Sequence, residues 1–272
     1  MRLVTWNLNG IRAAIRKGFD EFIIRMDPDI LLLQEVRALP EQLPKDWAPS
    51  MEGVIWHPAE KKGYSGVSTW DKSQHLIQEI GRGMPSVIDP DDDEGRILHT
   101  LHNTDIGPIH CINIYLPNGG ASPERQAYKE EWLEDLLLWA QKWAESGEAV
   151  VLCGDLNIAH EENDIWNPSG NRRTSGFLIQ EREWFTRFLN SGWNDLHRMH
   201  FGDVKGPYTW WSNRGQAREK NRGWRIDYVL ANDVAAEYVQ HVEVLRQGGL
   251  IVSDHAPLIV DFSLEKNVEV NL

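Results

Sequence analysis

The chain is poor in cysteine and lacks any long apolar run. Only two cysteines occur among its 272 residues, Cys111 and Cys153, and both lie in apolar stretches, where a thiol behaves as a small hydrophobic group. A disulfide framework and a cysteine-based zinc site are therefore excluded. No apolar run reaches the roughly 18 residues that span a membrane, and the first residues lack the pattern of a signal peptide. We expect a cytoplasmic protein that does not enter a membrane.

Net positive charge is also missing. With 41 acidic and 28 basic residues the formal charge is -13, which argues superficially against a polyanionic partner. Charges farther apart than about 8 Å are largely screened at physiological salt, so the local distribution matters more. Between Lys205 and Arg225, six basic residues stand against the single acid Glu219, and aromatic residues lie among them. This segment is either a site for phosphate groups or a solvated loop.

The composition indicates one globular domain over residues 1–272. Hydrophobic residues make up 41% of the chain, and no Ser/Gly linker, low-complexity tract or repeat interrupts it. Short apolar runs predict strands at Arg2 to Trp6, Ile30 to Leu33, Gly66 to Trp70, Ile97 to His102, Ile109 to Leu116, Ala149 to Leu152, Ile226 to Leu230 and Leu258 to Phe262.

Amphipathic segments between the strands predict three helices. The first covers Ile11 to Met26, with a possible interruption at Gly18. The second covers Glu124 to Ala144, with Ser122 as its cap. The third covers Glu181 to Asn190. The acidic run from Asp89 to Glu94 is typical of a solvated turn.

Five of the apolar runs end in a small cluster of Asp, Glu, Asn or His. These endings are TWNLNG (Thr5 to Gly10), LLLQE (Leu31 to Glu35), VVLCGDLN (Val150 to Asn157), WRIDYVL (Trp224 to Leu230) and SDHAP (Ser253 to Pro257). One such residue alone is ordinarily a turn residue or a helix cap. Because several strand ends can converge at one edge of a sheet, five together indicate a polar site there.

The residue types suit phosphodiester cleavage, which requires a cation, a positioned water and a group that steadies the leaving oxygen. Glu35 fits a ligand of a hard cation such as magnesium, and Gln34 and Asn9 offer further oxygens. Asp155 and Asn157 stand two residues apart and would project to the same side of an extended segment.

A second group of residues near the C-terminal end of the chain completes this chemistry. Asp227 and His255 form a possible pair, in which the carboxylate holds the imidazole, raises its pKa and leaves it able to donate to a phosphate oxygen. Asp254, next to His255, is another possible metal ligand.

Eleven motifs of the chain then resemble a known family. In order they are TWNLNGIRA, LQE, KKGYSGV, EGR, YLPN, GDLNIAHEE, NPSGN, GF followed by QEREW, YTWWSNRG, GWRIDY and SDHAPL. This series resembles the exonuclease III type of apurinic/apyrimidinic endonuclease, within the endonuclease/exonuclease/phosphatase superfamily. The resemblance implies an α/β (α+β) fold in which two packed mixed β-sheets flanked by helices form a four-layer sandwich, with the site where strand ends and loops meet.

The resemblance also implies catalytic and metal-binding roles for the matching positions. Glu35 would bind magnesium, for which manganese may substitute, and Asn9 and Asp254 match auxiliary ligands, so that one metal or two remains open. Asn7 would orient Asp155, Asp155 with Asn157 would position the attacking water, Tyr115 would contact the phosphate or the leaving group, and His255 paired with Asp227 would stabilise the pentacovalent state.

Other matching positions imply contacts with DNA. Trp210 and Trp224 match the walls of the pocket that receives an extruded abasic sugar, and Tyr64, Asn171 and Trp211 match neighbours of the DNA backbone. In the loop GGASPER, Ala121 stands near the position of an Arg that inserts into the duplex in some relatives, and Arg214 is the alternative inserting side chain.

The resemblance thus implies a magnesium-dependent DNA-repair phosphodiesterase that cleaves 5' to abasic sites and leaves a 3'-hydroxyl, with 3'-5' exonuclease or 3'-end-cleaning activity as well. Its partner would be double-stranded DNA with abasic sites or damaged 3' ends, and we expect a monomer, associated with the nucleoid if the source is bacterial. Three alternatives remain at this point: a phosphatase or diesterase of the same superfamily, a nuclease of undamaged duplex, and a nucleic-acid-binding module without catalysis.

Overall fold

A computed structural model describes residues 1–265. Its strands are β1 (Arg2–Asn7), β2 (Ile30–Gln34), β3 (Gly53–His57), β4 (Val67–Asp71), β5 (Ile77–Arg82), β6 (Ile97–Thr104), β7 (Gly107–Tyr115), β8 (Val150–Asp155), β9 (Asn194–Asp195), β10 (Asp227–Ala231), β11 (Val239–Val244) and β12 (Leu258–Phe262). Its α-helices are α1 (Ile11–Arg16), α2 (Phe19–Met26), α3 (Pro123–Ala144), α4 (Pro168–Asn171), α5 (Ile179–Asn190), α6 (Leu196–Phe201), α7 (Asp233–Ala236) and α8 (Arg246–Ile251). Short 3₁₀ helices cover Pro40–Gln42 and Glu162–Asp164.

The strands form two mixed sheets of six strands each. The first sheet has the order β11, β12, β1, β2, β4, β3, and the second has the order β5, β6, β7, β8, β10, β9. In the first sheet β1 and β2 are parallel neighbours, and in the second β7 and β8 are. The parallel connections carry helices, as expected for crossovers between parallel strands: α1 and α2 follow β1, and α3 follows β7.

The two sheets pack face to face between two layers of helices. A cluster that includes Leu3 and Leu32 of the first sheet and Cys111 and Val151 of the second fills the space between them. On the outer face of the first sheet a cluster joins strand residues to α1 and α2, and on the outer face of the second a cluster joins them to α3 and α5. The four-layer α/β sandwich implied by the family resemblance is confirmed.

The ends of central strands from both sheets meet at one edge of the sandwich. In the second sheet, β7 ends at Tyr115, β8 ends at Asp155 and β10 begins at Asp227. The register places Asp155 between the other two, opposite Tyr115 on one side and Asp227 on the other. In the first sheet β1 ends at Asn7, beside the end of β2. The polar clusters predicted at strand ends therefore come together.

The helix predictions are confirmed with small shifts of boundary. The segment Ile11 to Met26 is two helices, because Gly18 has φ +93° and occupies the N-cap position of α2. The cap of α3 is Ser122, whose hydroxyl accepts a hydrogen bond of 3.2 Å from the backbone N–H of Arg125. Within residues 1–265, no helix is both long enough and apolar enough to cross a bilayer.

Four strands were not predicted, and all four lie at sheet edges. They are β3 and β11 in the first sheet and β5 and β9 in the second. An edge strand is covered on fewer sides than a central one, so its residues need not be apolar. Strand β5 illustrates this, because its sequence IQEIGR has no buried residue. Apolar runs therefore predicted the central strands and missed the edges.

The acidic run from Asp89 to Glu94 is a turn, but it is not uniformly solvated as predicted. Asp92 is buried and accepts hydrogen bonds from the backbone N–H groups of Arg96 and Ile97. Its carboxylate also pairs with His57, at 2.8 Å. Hydrogen bonds that satisfy a carboxylate explain how it can be buried at the start of β6.

One member of the basic segment from Lys205 to Arg225 is not at the surface. Arg225 is fully buried, and its guanidinium contacts Asp164 at 2.7 Å and Asp195 at 2.8 Å. Arg198 pairs with the same Asp164 carboxylate. Burial by itself would raise the pKa of Asp164, but the guanidinium of Arg225, followed by that of Arg198, holds it well below its usual range. Arg225 thus supports the fold and is unavailable to a phosphate.

We predict that Asp164→Ala lowers the free energy of unfolding by about 3 kcal/mol, because it leaves the buried Arg225 with one carboxylate in place of two. Glu162→Ala is the matched control: it lies in the same 3₁₀ helix and loses only an exposed pair with Arg172, for an expected change of about 0–1 kcal/mol. Urea unfolding monitored by circular dichroism measures both. Equal effects of the two substitutions would contradict the structural role of Arg225.

Candidate active site

An open cleft of about 680 Å³ lies over the edge where the strand ends meet. Seven of the predicted catalytic and metal-binding residues line it: Asn9, Glu35, Tyr115, Asp155, Asn157, Asp254 and His255. The remaining two, Asn7 and Asp227, are buried directly behind it. The sheet topology therefore brings together residues that lie far apart in the chain. Asn7 and His255, for example, are separated by 248 positions.

Asp155 is held from both of its oxygens. The side-chain amide of Asn7, from the first sheet, donates to Oδ2 at 2.9 Å. The backbone N–H of Asn157 donates to Oδ1, also at 2.9 Å. Asp155 is 2% exposed, so these bonds fix the orientation of the carboxylate toward the cleft. The prediction that Asn7 orients Asp155 has this contact in its favour.

His255 bridges two carboxylates of the second sheet. Its Nδ1 lies 2.9 Å from Oδ2 of Asp227 and its Nε2 lies 3.8 Å from Oδ2 of Asp155. Asp227 is 1% exposed, so its carboxylate does not form part of the cleft surface. The imidazole is thus oriented by one carboxylate and directed toward the other, as the sequence predicted for the Asp227 and His255 pair.

The pKa values of Asp155 and His255 are both shifted, and the charge of Asp227 contributes to each shift. Burial, followed by the charge of Asp227, raises the pKa of Asp155 to about 7, although His255 opposes this. Burial alone would lower the pKa of His255, but the charges of Asp227 and Asp155 raise it to about 10. At neutral pH the imidazole is therefore a cation, and Asp155 is close to the point at which it gains or loses a proton.

A second group of oxygen ligands lies in the same cleft. Asn9 donates from Nδ2 to Oδ1 of Asp254 at 2.8 Å, and its own Oδ1 takes no part in that bond. The indole of Trp210 donates to the other oxygen of Asp254 at 3.2 Å. Burial would raise the pKa of Asp254, but the charge of His255 and these two hydrogen bonds lower it, so the carboxylate is ionised.

Glu35 is a third residue whose side-chain oxygens could bind a cation, and its backbone conformation is unusual. Glu35 has φ +48°, and Asn9, Arg37 and Asn157 have φ between +49° and +50°. Non-glycine residues seldom adopt this conformation, and it tends to occur at functional sites, where the surrounding structure maintains it. Immediately after their strands, these residues turn their side chains toward the cleft.

Two parts of the site offer ligand atoms to a cation. One atom each of Asp155, Asp227 and His255 lie within 4.8 Å of one another. However, a protonated imidazole has no lone pair for a metal, and Nδ1 of His255 is already bonded to Asp227. The carboxylates of Glu35 and Asp254 with the amide of Asn9 present hard oxygens and face the open cleft, so they fit a divalent cation better.

Gln34 does not belong to this ligand set, contrary to the expectation. It is fully buried between the sheets, where Nε2 donates to Thr5 Oγ1 at 2.9 Å and to Asn113 Oδ1 at 2.8 Å. Side chains of successive strand residues point to opposite faces, so Gln34 and Glu35 could not both face the cleft while the strand continued. Gln34 links the two sheets.

Tyr115 and Asn157 border the cleft beside Asp155. Burial, together with the nearby charge of Glu35, raises the pKa of Tyr115 well above its usual value, so the phenol keeps its proton and can donate it in a hydrogen bond. The amide of Asn157 donates to the carbonyl of Leu116 at 2.8 Å and accepts from Asn118 at 3.1 Å. Hydrogen bonds therefore hold both the nitrogen and the oxygen of the Asn157 side-chain amide.

Two half-buried indoles form one wall of the cleft. Trp210 and Trp224 lie edge to face, with ring centroids 6.0 Å apart, and their backbones pair with each other. Trp211 is different, because it is fully buried and its indole donates to Asn221 at 3.0 Å. Because Trp211 is buried, it cannot make the predicted direct contact with a DNA backbone. Trp210 and Trp211 differ in exposure because neighbouring side chains of an extended segment point to opposite sides.

The other predicted DNA contacts lie outside the main cleft. Arg214 and Asn171 line an adjoining cleft of about 570 Å³ on the far side of the Trp210 and Trp224 wall. Tyr64 is half-buried, and its hydroxyl accepts hydrogen bonds of 3.2 Å from both Arg96 and Arg125. Arg214 is exposed, as an inserting or phosphate-binding side chain must be.

The sequence analysis did not identify Arg37 and Asn118, which both line the cleft. Arg37 donates to Oε1 of Glu35 at 2.6 Å, and Asn118 contacts Asn157. Arg173 is an exposed cation at the rim of the same cleft. Arg37 stands two residues after Glu35 and Asn118 ends the YLPN motif, so proximity to recognised residues was the available signal.

Comparison with known proteins agrees with this arrangement. Residues 4–255 match the Endonuclease/Exonuclease/phosphatase family. An exodeoxyribonuclease of Bacillus subtilis (strain 168) is 38% identical over 259 residues, which cover 95% of this chain and 98% of that protein. An AP endonuclease from Archaeoglobus fulgidus superposes with a TM-score of 0.83 at 27% identity, covering 97% of this chain and 100% of the other. A 3' phosphatase from Neisseria, bound to a product DNA hairpin, does so with a TM-score of 0.82 at 26% identity, covering 97% and 99%.

Fold and site together are those of a phosphoester-cleaving enzyme whose catalytic groups lie at the edge of two packed sheets. The chain belongs to the Endonuclease/Exonuclease/phosphatase family, and within it to the exodeoxyribonuclease and AP endonuclease type of DNA-repair nuclease. The resemblance seen in the sequence motifs is confirmed. The alternative of a binding module without catalysis is wrong, because the relatives identify an enzyme.

We predict that His255 in the metal-free protein stays protonated throughout pH 6–8, because two carboxylates raise its pKa to about 10. Asp227→Asn removes one of these charges and should lower the pKa of His255, so that its ring begins to lose the proton at a lower pH. Histidine-selective NMR measures the titration, with the exposed His75 as the reference in the same spectra. A wild-type His255 that titrates near pH 6.5 would contradict the assigned electrostatics.

Proposed function

We propose that the chain is a magnesium-dependent DNA-repair phosphodiesterase that cleaves 5' to an abasic site and leaves a 3'-hydroxyl. The observation that carries the proposal is the alignment of Asp155 with Asn7 and His255 in a cleft that also presents Glu35 and an indole wall. Its partner is double-stranded DNA, on which we propose that it acts as a monomer in the cytoplasm.

Asp155 is the group that receives a proton from the attacking water. Two hydrogen bonds fix its orientation, and its pKa of about 7 is close to the working pH, which favours proton transfer in either direction. Asn157 supplies one of those bonds from its backbone and is itself held by Leu116 and Asn118. The carboxylate therefore needs no rearrangement at the moment of reaction.

His255 and Tyr115 act on the phosphate. The imidazolium of His255, held by Asp227, places a positive N–H donor where negative charge develops on a phosphoryl oxygen. Tyr115 keeps its proton and donates a hydrogen bond to the phosphate or the leaving oxygen. A buried and pre-oriented donor is more effective than one in water, because it does not reorganise.

Glu35, Asp254 and Asn9 are the residues that would hold the divalent ion. Their donor set consists of two carboxylates and one amide, which suits magnesium and also manganese. When bound, the ion would neutralise charge on the phosphoryl oxygens and steady the leaving oxygen. The protein's part is to direct these oxygens into the cleft, and the lowered pKa of Asp254 keeps that carboxylate ionised.

The indole wall favours an extruded sugar over a paired nucleotide. An enzyme that acts on duplex DNA must remove its target from the stack, which requires least energy where the base is missing. Trp210 and Trp224 present flat apolar surfaces beside the catalytic groups. Arg173 at the rim, and Arg214 in the adjoining cleft, supply positive charge for the flanking phosphates.

Processing of damaged 3' ends is a second candidate activity for the same site. Its support is the structural similarity to a Neisseria 3' phosphatase bound to a product DNA hairpin. The chain also carries Ala121 in place of the inserting Arg of some relatives, so one duplex wedge is absent from the described loop. A strand end needs no wedge, because it separates from its partner more easily than an internal nucleotide does.

A magnesium-supplemented assay on matched duplexes tests the proposed function. We expect nicking of an abasic duplex and slower release of phosphate from a 3'-phosphate end, with no cleavage of undamaged duplex at the same enzyme concentration. Excess chelator should abolish all cleavage, and added magnesium or manganese should restore it. Cleavage that persists in chelator, or hydrolysis of an inositol phosphate in preference to abasic DNA, would reject the proposal.

Two substitutions test the catalytic assignment. Asp155→Asn and His255→Ala should each lower kcat by roughly a hundredfold or more while the protein stays folded, because each removes a group that acts in the transition state. Asp233→Asn, at the exposed start of α7, and His75→Ala are the matched controls and should keep normal turnover. A variant of Asp155 or His255 with near-normal kcat would remove that residue from the mechanism.

A further inference from the structure

The proposed metal ligand Glu35 already has a cationic partner inside the cleft. The guanidinium of Arg37 donates to Oε1 of Glu35 at 2.6 Å. The Glu35 side chain is 11% exposed and the Arg37 side chain is 39% exposed, so the pair lies at the boundary between protein and solvent. Within residues 1–265, Glu35 is the hydrogen-bond acceptor of this guanidinium.

The backbone holds this pair together, and only the side chains can rearrange. Glu35 and Arg37 both have φ near +50°, with the buried Val36 between them. The backbone N–H of Val36 donates to the carbonyl oxygen of Gly66 at 3.1 Å, and the backbone N–H of Arg37 donates to the carbonyl oxygen of Ser65 at 2.9 Å. The carbonyl of Glu35 accepts from Gly10 at 2.8 Å. Such an anchored turn directs two side chains, two residues apart, into one cleft.

A guanidinium and a divalent ion compete for the same carboxylate oxygen. Arg37 carries a guanidinium, which stays protonated at every relevant pH, so a cation persists beside Oε1 of Glu35. An ion that approaches Glu35 must displace this bond or tolerate a positive charge close by. Either requirement weakens its binding.

A phosphodiester in the cleft changes this competition. Arginine binds phosphate oxygens through two parallel hydrogen bonds, and the exposed part of Arg37 faces the same cleft as Glu35 and His255. A phosphate that binds the guanidinium frees Glu35 for the ion. Any ligand that removes a competitor of a second ligand raises the affinity of that second ligand, and the effect is reciprocal.

We propose that Arg37 is an internal counter-ion of Glu35 that weakens metal binding in the free enzyme and couples tight metal binding to the arrival of the DNA phosphate. This inference rests on the proposed function, since it takes Glu35 as a metal ligand and a phosphodiester as substrate. Arg37 is thus a positioning residue that links two binding events, and its effect is measurable without turnover.

Binding of manganese to the free protein, followed by EPR spectroscopy, tests the competition. Arg37→Met removes the charge and keeps an unbranched side chain, so it should bind manganese roughly tenfold more tightly than the wild type. Arg37→Asn should do the same and suits the positive φ of this position, which keeps the test open if the Met variant folds poorly. Arg173→Met is the matched control, because it removes a charge from the same cleft without contact to Glu35.

The coupling is tested by adding the nicked product duplex to the free protein in the presence of manganese. We expect the duplex to tighten manganese binding in the wild type severalfold and to have little effect in Arg37→Met. By reciprocity, manganese should tighten binding of the duplex by the same factor in each protein. An equal effect of the duplex on both proteins would overturn the coupling.

Glu35→Gln separates the failure of this inference from the failure of the proposed function. If manganese binds the wild type and Arg37→Met equally and is lost in Glu35→Gln, Glu35 is a metal ligand and the role of Arg37 is wrong. If Arg173→Met tightens binding as much as Arg37→Met does, the effect is general electrostatics and the inference also falls. Binding that is equal in wild type and Glu35→Gln would overturn both the inference and the metal assignment.

Discussion

The site depends on how the repulsion between two buried carboxylates of the second sheet is offset. Asp155 and Asp227 are direct cross-strand partners of β8 and β10, and both are almost completely buried. Like charges placed opposite each other in a sheet destabilise it. The compensating groups come from elsewhere: Asn7 from the end of β1, and His255 from the segment before β12, both in the first sheet. Packing of the two sheets and preparation of the catalytic groups are therefore one event. Burial and the charge of Asp227 raise the pKa of Asp155. The charges of Asp227 and Asp155 raise the pKa of His255, although burial opposes this.

Rigidity elsewhere in the molecule serves this contact. Gln34 and Asn113 join the sheets by hydrogen bonds through the apolar interface, and these bonds lock the relative position of β1, β2 and β7. Arg225 and Asp164 form a buried ion pair beneath the segment that carries Trp224, and the backbone of Ile165 pairs with that indole residue. The indole wall is thus tied to the core through charges that are satisfied internally. Positive φ angles at Asn9, Glu35 and Asn157 occur where strands give way to the cleft, which is where a rigid frame can maintain them.

Local charge explains how an acidic protein can hold a polyanion. The overall charge is -13, yet the cleft and its neighbour present Arg37, Arg173 and Arg214 beside His255, whose pKa is about 10. Screening limits the influence of distant acids, so the phosphate experiences these groups first. The basic segment recognised in the sequence contributes less than its composition indicated, because Arg225 is buried against acids. Its aromatic residues divide in the same way, with Trp210 and Trp224 at the cleft and Trp211 in the core.

Apolar periodicity was enough to predict the central strands and the long helices, residue types at strand ends indicated a polar site, and the family resemblance of the motif series implied the four-layer arrangement and the roles of the residues around Asp155. Each of these depends on patterns within a segment or on a motif series that only a few folds share. The four edge strands escaped, because an edge need not be apolar, and Gln34, Trp211 and Arg225 were misplaced, because the side of a strand on which a residue falls depends on register. The pairing of His255 with Asp227 was predicted, whereas the burial of Arg225 and the contact of Arg37 with Glu35 were decided only by the folded structure. Burial and side-chain contacts of this kind depend on how segments far apart in the chain pack together, as Gln34 does with Asn113 and Arg225 with Asp164, and no local pattern encodes that packing.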